Sequence, residues 1–237
     1  MGAARWVVTD RSGGVSRPPY DGLDLAGHVG DDPVAVAANR AALARSLAVP
    51  VDRLVVTGAV HGREIGWVEG PVPGGDLAGV DALVTATAGL ALVALAADCV
   101  PLVLVDPVVG LAAVVHAGWR GLAAGVIEAT LEVLRGRGAR AGQLAAVVGP
   151  SICARCYPVP SSRRDQVAAR LPAASSQSSA GLPSVDLRAG AVSVLRAHGV
   201  AVRIDAGCTA EDPTLYSYRR DGRTGRHGVA VVLDGTP

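Results

Sequence analysis

Apolar residues in this chain fall into short blocks bounded by Gly, Asp or Pro. They are RWVVT at 5–9, ALVTAT at 82–87, LALVALAAD at 90–98, PLVLVD at 101–106, LAAVVHAG at 111–118 and QLAAVVG at 143–149. Near-continuous apolar runs of this length read as strands buried on both faces. Residues 53–60 and 63–69 are predicted as a pair of strands flanking a His61–Gly62 turn, followed by a Gly/Pro loop at 70–79. Further strands are expected at 200–206 and 227–233. Helical spacing appears elsewhere. Asp31 and Asp32 are suitable N-caps, Pro33 fits a first turn, and Val34, Ala37, Ala41, Leu43 and Leu47 form a stripe, predicting a helix over Pro33–Leu47. Residues 121–136 place Leu122, Val126, Ile127, Thr130, Leu131 and Leu134 on one side of another helix. Helices are also expected at 161–171 and 186–198, and the PAASSQSSAGLPS stretch, over 172–184, reads as a low-complexity surface loop without chemistry. No repeat and no linker divides the pattern, so residues 1–237 are expected to form a single domain.

Composition narrows the function. Half of the 237 residues are apolar, Phe is absent and aromatics make up 3%, so Val, Leu and Ala must fill the core. The formal charge is +1 with no basic tail or acidic block, which points away from nucleic acid and membrane surfaces as partners. All 22 basic residues are Arg. There is thus no Schiff-base or phosphate-loop lysine, and anions must be held by Arg, backbone amides or a metal. The apolar stretch 82–105 is interrupted by Asp98 and Pro101 and diluted by Thr85, Thr87 and Gly89, so adjacent buried strands explain it better than a membrane span. The N-terminal stretch has no apolar signal region. A cytoplasmic, reducing setting is expected, in which Cys99, Cys153, Cys156 and Cys208 are free or metal-bound.

Three strand ends carry metal-capable side chains beside small residues: His61 before Gly62, Cys99 after Asp98, and His116 before Ala117–Gly118. Two imidazoles and a thiolate are a borderline-soft set that suits zinc and leaves a fourth position open. Spacing alone also allows packed histidines and a core cysteine, because no close-spaced ligand motif is present.

The chain resembles the laccase-domain (YfiH-like) family. That family has been described as multicopper polyphenol oxidases and as purine nucleoside phosphorylases. The resemblance rests on RSGGVSRPPYDGLDLAGHVGDDP with Asn39–Arg40, VHG at 60–62, ADCVPLVLVDP at 97–107, HAGWRG at 116–121, GPSICARCYPV at 149–159, CT at 208–209 and YSYRRDGRTGRHG at 216–228. It implies an α+β fold of mixed sheets covered by helices, related to the cytotoxic necrotizing factor catalytic domain. It also places the zinc ligands on His61, Cys99 and His116, with copper as a substitute metal. Ala59 stands where the family commonly has Gln, and Pro158 where an acidic residue commonly follows the Cys-Tyr pair.

The implied activity is phosphorolysis of adenosine, inosine, guanosine and methylthioadenosine, together with adenosine deamination, with purine nucleoside and phosphate as ligands. Arg40 and Arg120, then Arg219 and Arg226, are the candidate phosphate donors, and Trp119 is a candidate for stacking on a base or for a structural role. Asp98 is a candidate to orient a His ligand or to move a proton, with capping of nearby backbone as the alternative. Cys153 and Cys156 read as a structural thiol pair, with a redox couple as the alternative. A multicopper oxidase is disfavoured: it needs roughly ten imidazoles, many in His-x-His pairs, and the chain has five His and no such pair. A low-level copper-dependent side activity stays open. The main rival is an amidohydrolase, using either metal or a Cys99 nucleophile with His116 as base, acting for example in editing a peptidoglycan precursor. The expected assembly is a monomer or small homo-oligomer.

Overall fold

A computed structural model describes residues 4–235. In chain order the elements begin with β1 (Ala4–Val8), α1 (Pro33–Ser46), β2 (Leu54–Gly58), β3 (Ile65–Trp67), β4 (Asp76–Ala78), β5 (Ala82–Thr85) and β6 (Ala91–Ala96). Then come β7 (Val100–Asp106), β8 (Leu111–Ala117), α2 (Trp119–Ala124), α3 (Val126–Gly136), β9 (Ala145–Val148) and α4 (Ser161–Ala168). The last are β10 (Ser175–Gln177), β11 (Pro183–Val185), α5 (Leu187–Ala197), β12 (Ala201–Ile204), α6 (Tyr218–Asp221) and β13 (His227–Leu233).

The long strands form two mixed sheets, ordered β1-β13-β6-β2-β4 and β12-β9-β7-β8-β5-β3. Side-chain alternation assigns their faces. On β6, Leu92 and Ala94 meet Val103 of β7 and Val114 of β8 between the sheets. Ala91, Val93 and Leu95 face outward onto Leu43 and Ala44 of α1 and Leu47 just after it. Leu102 and Leu104 of β7 face the other way, onto Leu122, Ile127, Leu131 and Leu195 of the helices. The molecule is therefore α1, first sheet, second sheet, then α2–α5. Three apolar layers explain why the strands read as continuous hydrophobic runs and why a core without Phe suffices. Each fully buried Val or Leu contributes roughly 1.5–3 kcal/mol of transfer free energy, and small aliphatics interdigitate between sheets.

Several expectations change in the folded chain. The segments 53–60 and 63–69 do not pair: β2 lies in the first sheet and β3 in the second. The helix at 121–136 is broken at Gly125, whose φ of 86° ends α2 and starts α3, although all six predicted apolar positions are buried. Helix α1 starts as predicted, with Asp32 accepting from the Val34 amide, but Val34 itself is 75% exposed. Val36 and Asn39 turn inward instead. The Asn39 amide accepts from Val15 N and donates to Ser16 Oγ and the Gly22 and Asp24 carbonyls, tying the preceding loop to the helix. An Ala-rich helix has no steep apolar stripe, so this buried polar network decides its rotation. The 172–184 stretch contains the β10–β11 hairpin. Its Ser184 is buried and donates to the Ala154 and Tyr157 carbonyls, a role that composition conceals.

Candidate metal centre and cavity

Two chain crossings between the sheets build the site. The link from β2 to β3 carries His61, with φ of 62°. The link from β6 to β7 carries Asp98, with φ of 103°, and then Cys99. His116 sits near the end of β8, opposite Pro101 of β7. One ligand atom from each of His61, Cys99 and His116 lies within 4.8 Å of the other two. Cys99 Sγ is 3.8 Å from His61 Nε2, and the two imidazole rings meet edge to face with centroids 4.8 Å apart. Gly118 leaves the space for this convergence: a Cβ there would fall 2.8 Å from His61 Cδ2 and 3.0 Å from Cys99 Sγ. Any larger residue would fill the cradle.

The residue that organises the cluster is Asp81, which the sequence reading did not single out. Its fully buried carboxylate accepts the backbone amides of Val60, His61 and Gly62 and binds His116 Nδ1 at 2.9 Å. It thereby fixes the left-handed His61 turn and leaves His116 Nε2 to face the cluster. Burial raises the Asp81 pKa, but the His116 bond and the amide bonds outweigh it and hold the carboxyl below its usual value. The only sequence trace of this role is an Asp directly before a buried apolar strand. Such residues are usually caps.

Electrostatics inside the cluster favour charge separation. Burial pushes the Cys99 thiol up, but the His116 charge and hydrogen bonds from both imidazoles bring it down to about 6. Burial pushes His116 down, but the Cys99 thiolate and Asp81 raise it to about 9. Without a metal, the pair is a thiolate facing an imidazolium backed by a carboxylate.

The donor set fits a zinc ion. Tetrahedral zinc with S at about 2.3 Å and N at about 2.0–2.1 Å gives S···N edges of about 3.5 Å. The 3.8 Å between Cys99 Sγ and His61 Nε2 needs only a small contraction to reach that. Held by these three residues, a zinc ion would keep a fourth position open, the arrangement of a reactive rather than a purely structural zinc.

A cavity of about 400 Å³ opens over the three residues, within the range of small-molecule sites. Asp98, Trp119, Arg120, Arg219 and Arg226 line it, together with Arg163, Tyr157 and His28, which the sequence did not single out. Arg40 is not in this wall. Its Nε donates to the Leu25 carbonyl, its Nη2 pairs with Asp76 at 2.8 Å, and it faces a neighbouring groove. Asp98 does not touch either imidazole. Its Oδ1 accepts from Thr209 Oγ1 at 2.6 Å and Ser217 Oγ at 2.7 Å, and its Oδ2 accepts from the Arg219 amide at 2.7 Å. Asp98 is thus a latch that draws the 209–219 segment to the cavity, the backbone-capping alternative. Trp119 carries the guanidinium carbons of Arg120 and Arg163 5.0 and 4.8 Å from its ring centroid. Arg219 likewise lies 4.7 Å from the Tyr157 centroid. The aromatics hold the cations in place, so Trp119 is a platform for guanidinium groups before it is one for a base.

Comparison with known proteins adds an independent line. The profile of a family described as multi-copper polyphenol oxidoreductase laccase matches residues 5–234. The chain is 46% identical over 231 residues to a purine nucleoside phosphorylase of Mycobacterium tuberculosis, covering 97% of this chain and 92% of that one. It is 46% identical over 235 residues to a purine nucleoside phosphorylase of Streptomyces coelicolor, covering 99% and 97%. The crystal structure of YfiH from Bacillus licheniformis superposes with a TM-score of 0.91 at 28% identity, covering 98% of this chain and 93% of that chain.

Proposed function

The chain belongs to the multi-copper polyphenol oxidoreductase laccase family, and from that premise we propose that it is a zinc-dependent purine nucleoside phosphorylase. The observation that carries the reading is the junction of a two-imidazole, one-thiolate cluster with a cavity whose wall is lined by Arg120, Arg163, Arg219 and Arg226. Relatives named purine nucleoside phosphorylase, matched over nearly their whole length, support it.

In phosphorolysis a phosphate oxygen attacks the ribose anomeric carbon, and the bond to the purine nitrogen breaks. The base leaves with the electron pair and takes up a proton. The attacking group is an anion, and in a chain without lysine the guanidinium groups are the side chains that hold it. Arg120 is the first candidate: it is exposed, has its ring platform on Trp119, and is free to reach ligand. Arg226 is half-buried and spends Nη1 on the Thr224 and Gly225 carbonyls, and Arg219 donates to the Pro158 carbonyl, so these two shape the wall as well as charge it. A zinc ion held by His61, Cys99 and His116 would supply Lewis acidity at one open position. Asp81 fixes the two histidines, and Asp98 closes the 209–219 segment over the site. We extend the proposal to deamination at the purine six-position, in which water adds and ammonia leaves.

The family's copper description does not carry over as a multicopper centre. Of the five histidines, His61 and His116 converge. His28 lines the cavity but is not part of the cluster, His227 is buried against Tyr216, and His198 binds Arg135. Substitution of one copper at the zinc ligands is compatible with the donor set. The four cysteines are all free, which fits a reducing, cytoplasmic setting. Among the described residues no helix is long and apolar enough to cross a membrane.

One observation favours a second reading. The thiolate of Cys99, the imidazolium of His116 and the carboxylate of Asp81 also have the order of a cysteine amidohydrolase triad. Metal content together with phosphate-dependent release of adenine from adenosine separates the two. About one zinc at this site and adenine release that requires phosphate support the phosphorylase. Amide hydrolysis that survives chelation and stops on Cys99 alkylation replaces it with the hydrolase.

A further inference from the structure

A second group of sulfur ligands lies apart from the cavity. Cys153 and Cys156 flank a short turn in the loop after β9, and Cys208 and Glu211 lie in the loop after β12. One ligand atom from each of the four residues falls within 4.8 Å of the other three. Glu211 Oε1 is 3.4 Å from Cys156 Sγ and 3.9 Å from Cys153 Sγ, and both Glu211 oxygens accept from Arg155 Nη2 at 3.0 Å. The Cys153 amide donates to Cys208 Sγ at 3.3 Å. We propose that Cys153, Cys156, Cys208 and Glu211 form a second zinc site, structural in role, that clips the loop after β9 to the loop after β12.

The ligand count and chemistry are those of a closed site. Three thiolates and one carboxylate oxygen complete a tetrahedron, and no position is left for substrate. A zinc bound at about 2.3 Å to S and 2.0–2.2 Å to O has S···O edges of about 3.6 Å. The two S···O distances above bracket that value. Coordination through Oε1 would exchange its Arg155 bond for the metal and keep the bond from Arg155 to Oε2, so the guanidinium still offsets part of the negative charge of the ligand set, and the amide on Cys208 is an outer contact of the kind that orients a thiolate. A disulfide accounts for these residues less well. It would join two of the sulfurs and leave the third thiol and the carboxylate converging on nothing. The cysteines are half-buried and Glu211 is exposed, so an ion has access from solvent.

The clip has a consequence for the cavity. Tyr157, next to Cys156, lines the cavity and carries Arg219 on its ring. Thr209, next to Cys208, donates to Asp98, the neighbour of Cys99. The two loops already touch through the Ser151–Cys208 bridge and the Thr209 amide, which donates to the Ser151 carbonyl. An ion between them fixes both cavity walls at once. The inference is independent of the phosphorylase reading, since it uses none of the residues of the first cluster.

The test counts zinc per chain by mass spectrometry on protein loaded with zinc and desalted, for wild type, Cys99→Ala, Cys156→Ser and the double variant. We expect two, one, one and none. Wild type holding one zinc that Cys156→Ser lowers and Cys99→Ala leaves would uphold the clip and overturn the first centre. Wild type holding one zinc that Cys99→Ala removes and Cys156→Ser leaves would overturn the clip. Cobalt added to Cys99→Ala provides a second readout. Thiolate-to-cobalt charge transfer in the near ultraviolet is expected, and its absence counts against the site. Should Cys156→Ser not fold, Glu211→Gln keeps all three thiols and is expected to weaken cobalt binding in the Cys99→Ala background by at least about 10-fold; unchanged affinity would remove Glu211 from the site and reject the four-ligand proposal. Thiol titration of unfolded, unreduced protein is expected to find four thiols. A count of two would replace the zinc clip with a disulfide.

Discussion

The two sulfur clusters of this protein use similar atoms for opposite ends. The His61–Cys99–His116 group has three donors, lies at crossings between two rigid sheets and opens on a cavity walled by guanidinium groups. The Cys153–Cys156–Cys208–Glu211 group has four donors and lies between loops, away from that cavity wall. A missing ligand is what makes a metal reactive, and a complete set is what makes it a rivet. Support differs in the same direction. Buried Asp81 and five sheet strands, β2, β3, β6, β7 and β8, hold the first cluster before any ion arrives. The second relies on two irregular segments that few backbone bonds join.

The sharpest way to break this contrast is Cys99→Ala. It leaves two imidazoles, and kcat/KM for phosphorolysis should fall at least about 1,000-fold, on the order of 4 kcal/mol of transition-state stabilisation. Cys208→Ser should leave the zinc of the first cluster in place and lower the Tm instead. Full turnover by Cys99→Ala would show that the triad is not the centre of the chemistry.

Asp81→Asn tests whether preorganisation of the first cluster matters. Loss of the carboxylate behind His116 should weaken zinc binding there about 10–100-fold, measured by competition with a chromophoric chelator. A value within twofold of wild type would reduce Asp81 to a backbone cap.

Arg120 and Arg40 divide the cavity wall from the scaffold. Arg120→Ala should raise the KM for phosphate about 10-fold, the loss of one charge-assisted contact, with a smaller change in kcat. Arg40→Ala should leave that KM unchanged and cost about 1 kcal/mol of stability through its Asp76 pair and its bond to the Leu25 carbonyl. Equal effects of both on KM would return Arg40 to the site.

The pH response is the finest of these tests. Cys99 is deprotonated above a pKa of about 6 in the metal-free cluster, so its alkylation rate should rise through pH 6 and level off above it. His116→Ala removes the charge that opposes burial, and the inflection should move up towards the ordinary thiol range of about 8.5. At pH 7 that means alkylation several-fold slower. An inflection unmoved by His116→Ala would deny the ion pair.

What the sequence determined by itself was local. Strand positions followed from dense apolar runs between breakers. The start of α1 followed from Asp32 and Pro33, and the buried side of 121–136 from its spacing. His61, Cys99 and His116 each stand where an apolar run meets small residues, and it was the resemblance of their motifs to the family that implied a ligand role. Tertiary structure decided everything that depends on which strands share a sheet. It sent β2 and β3 into different sheets and so turned a supposed hairpin bend into the crossing that carries His61. It chose Asp81 over Asp98 as the partner of His116, since both are strand-end carboxylates in the sequence and only packing brings one of them within 2.9 Å of the imidazole. It removed Arg40 from the cavity by pairing it with Asp76. It gathered Cys208 and Glu211 onto a CxxC turn some 55 positions away. Hydrophobic pattern is a property of neighbours along the chain. Polar partnership across such distances is set by the stacking of two sheets, and no local signal encodes it.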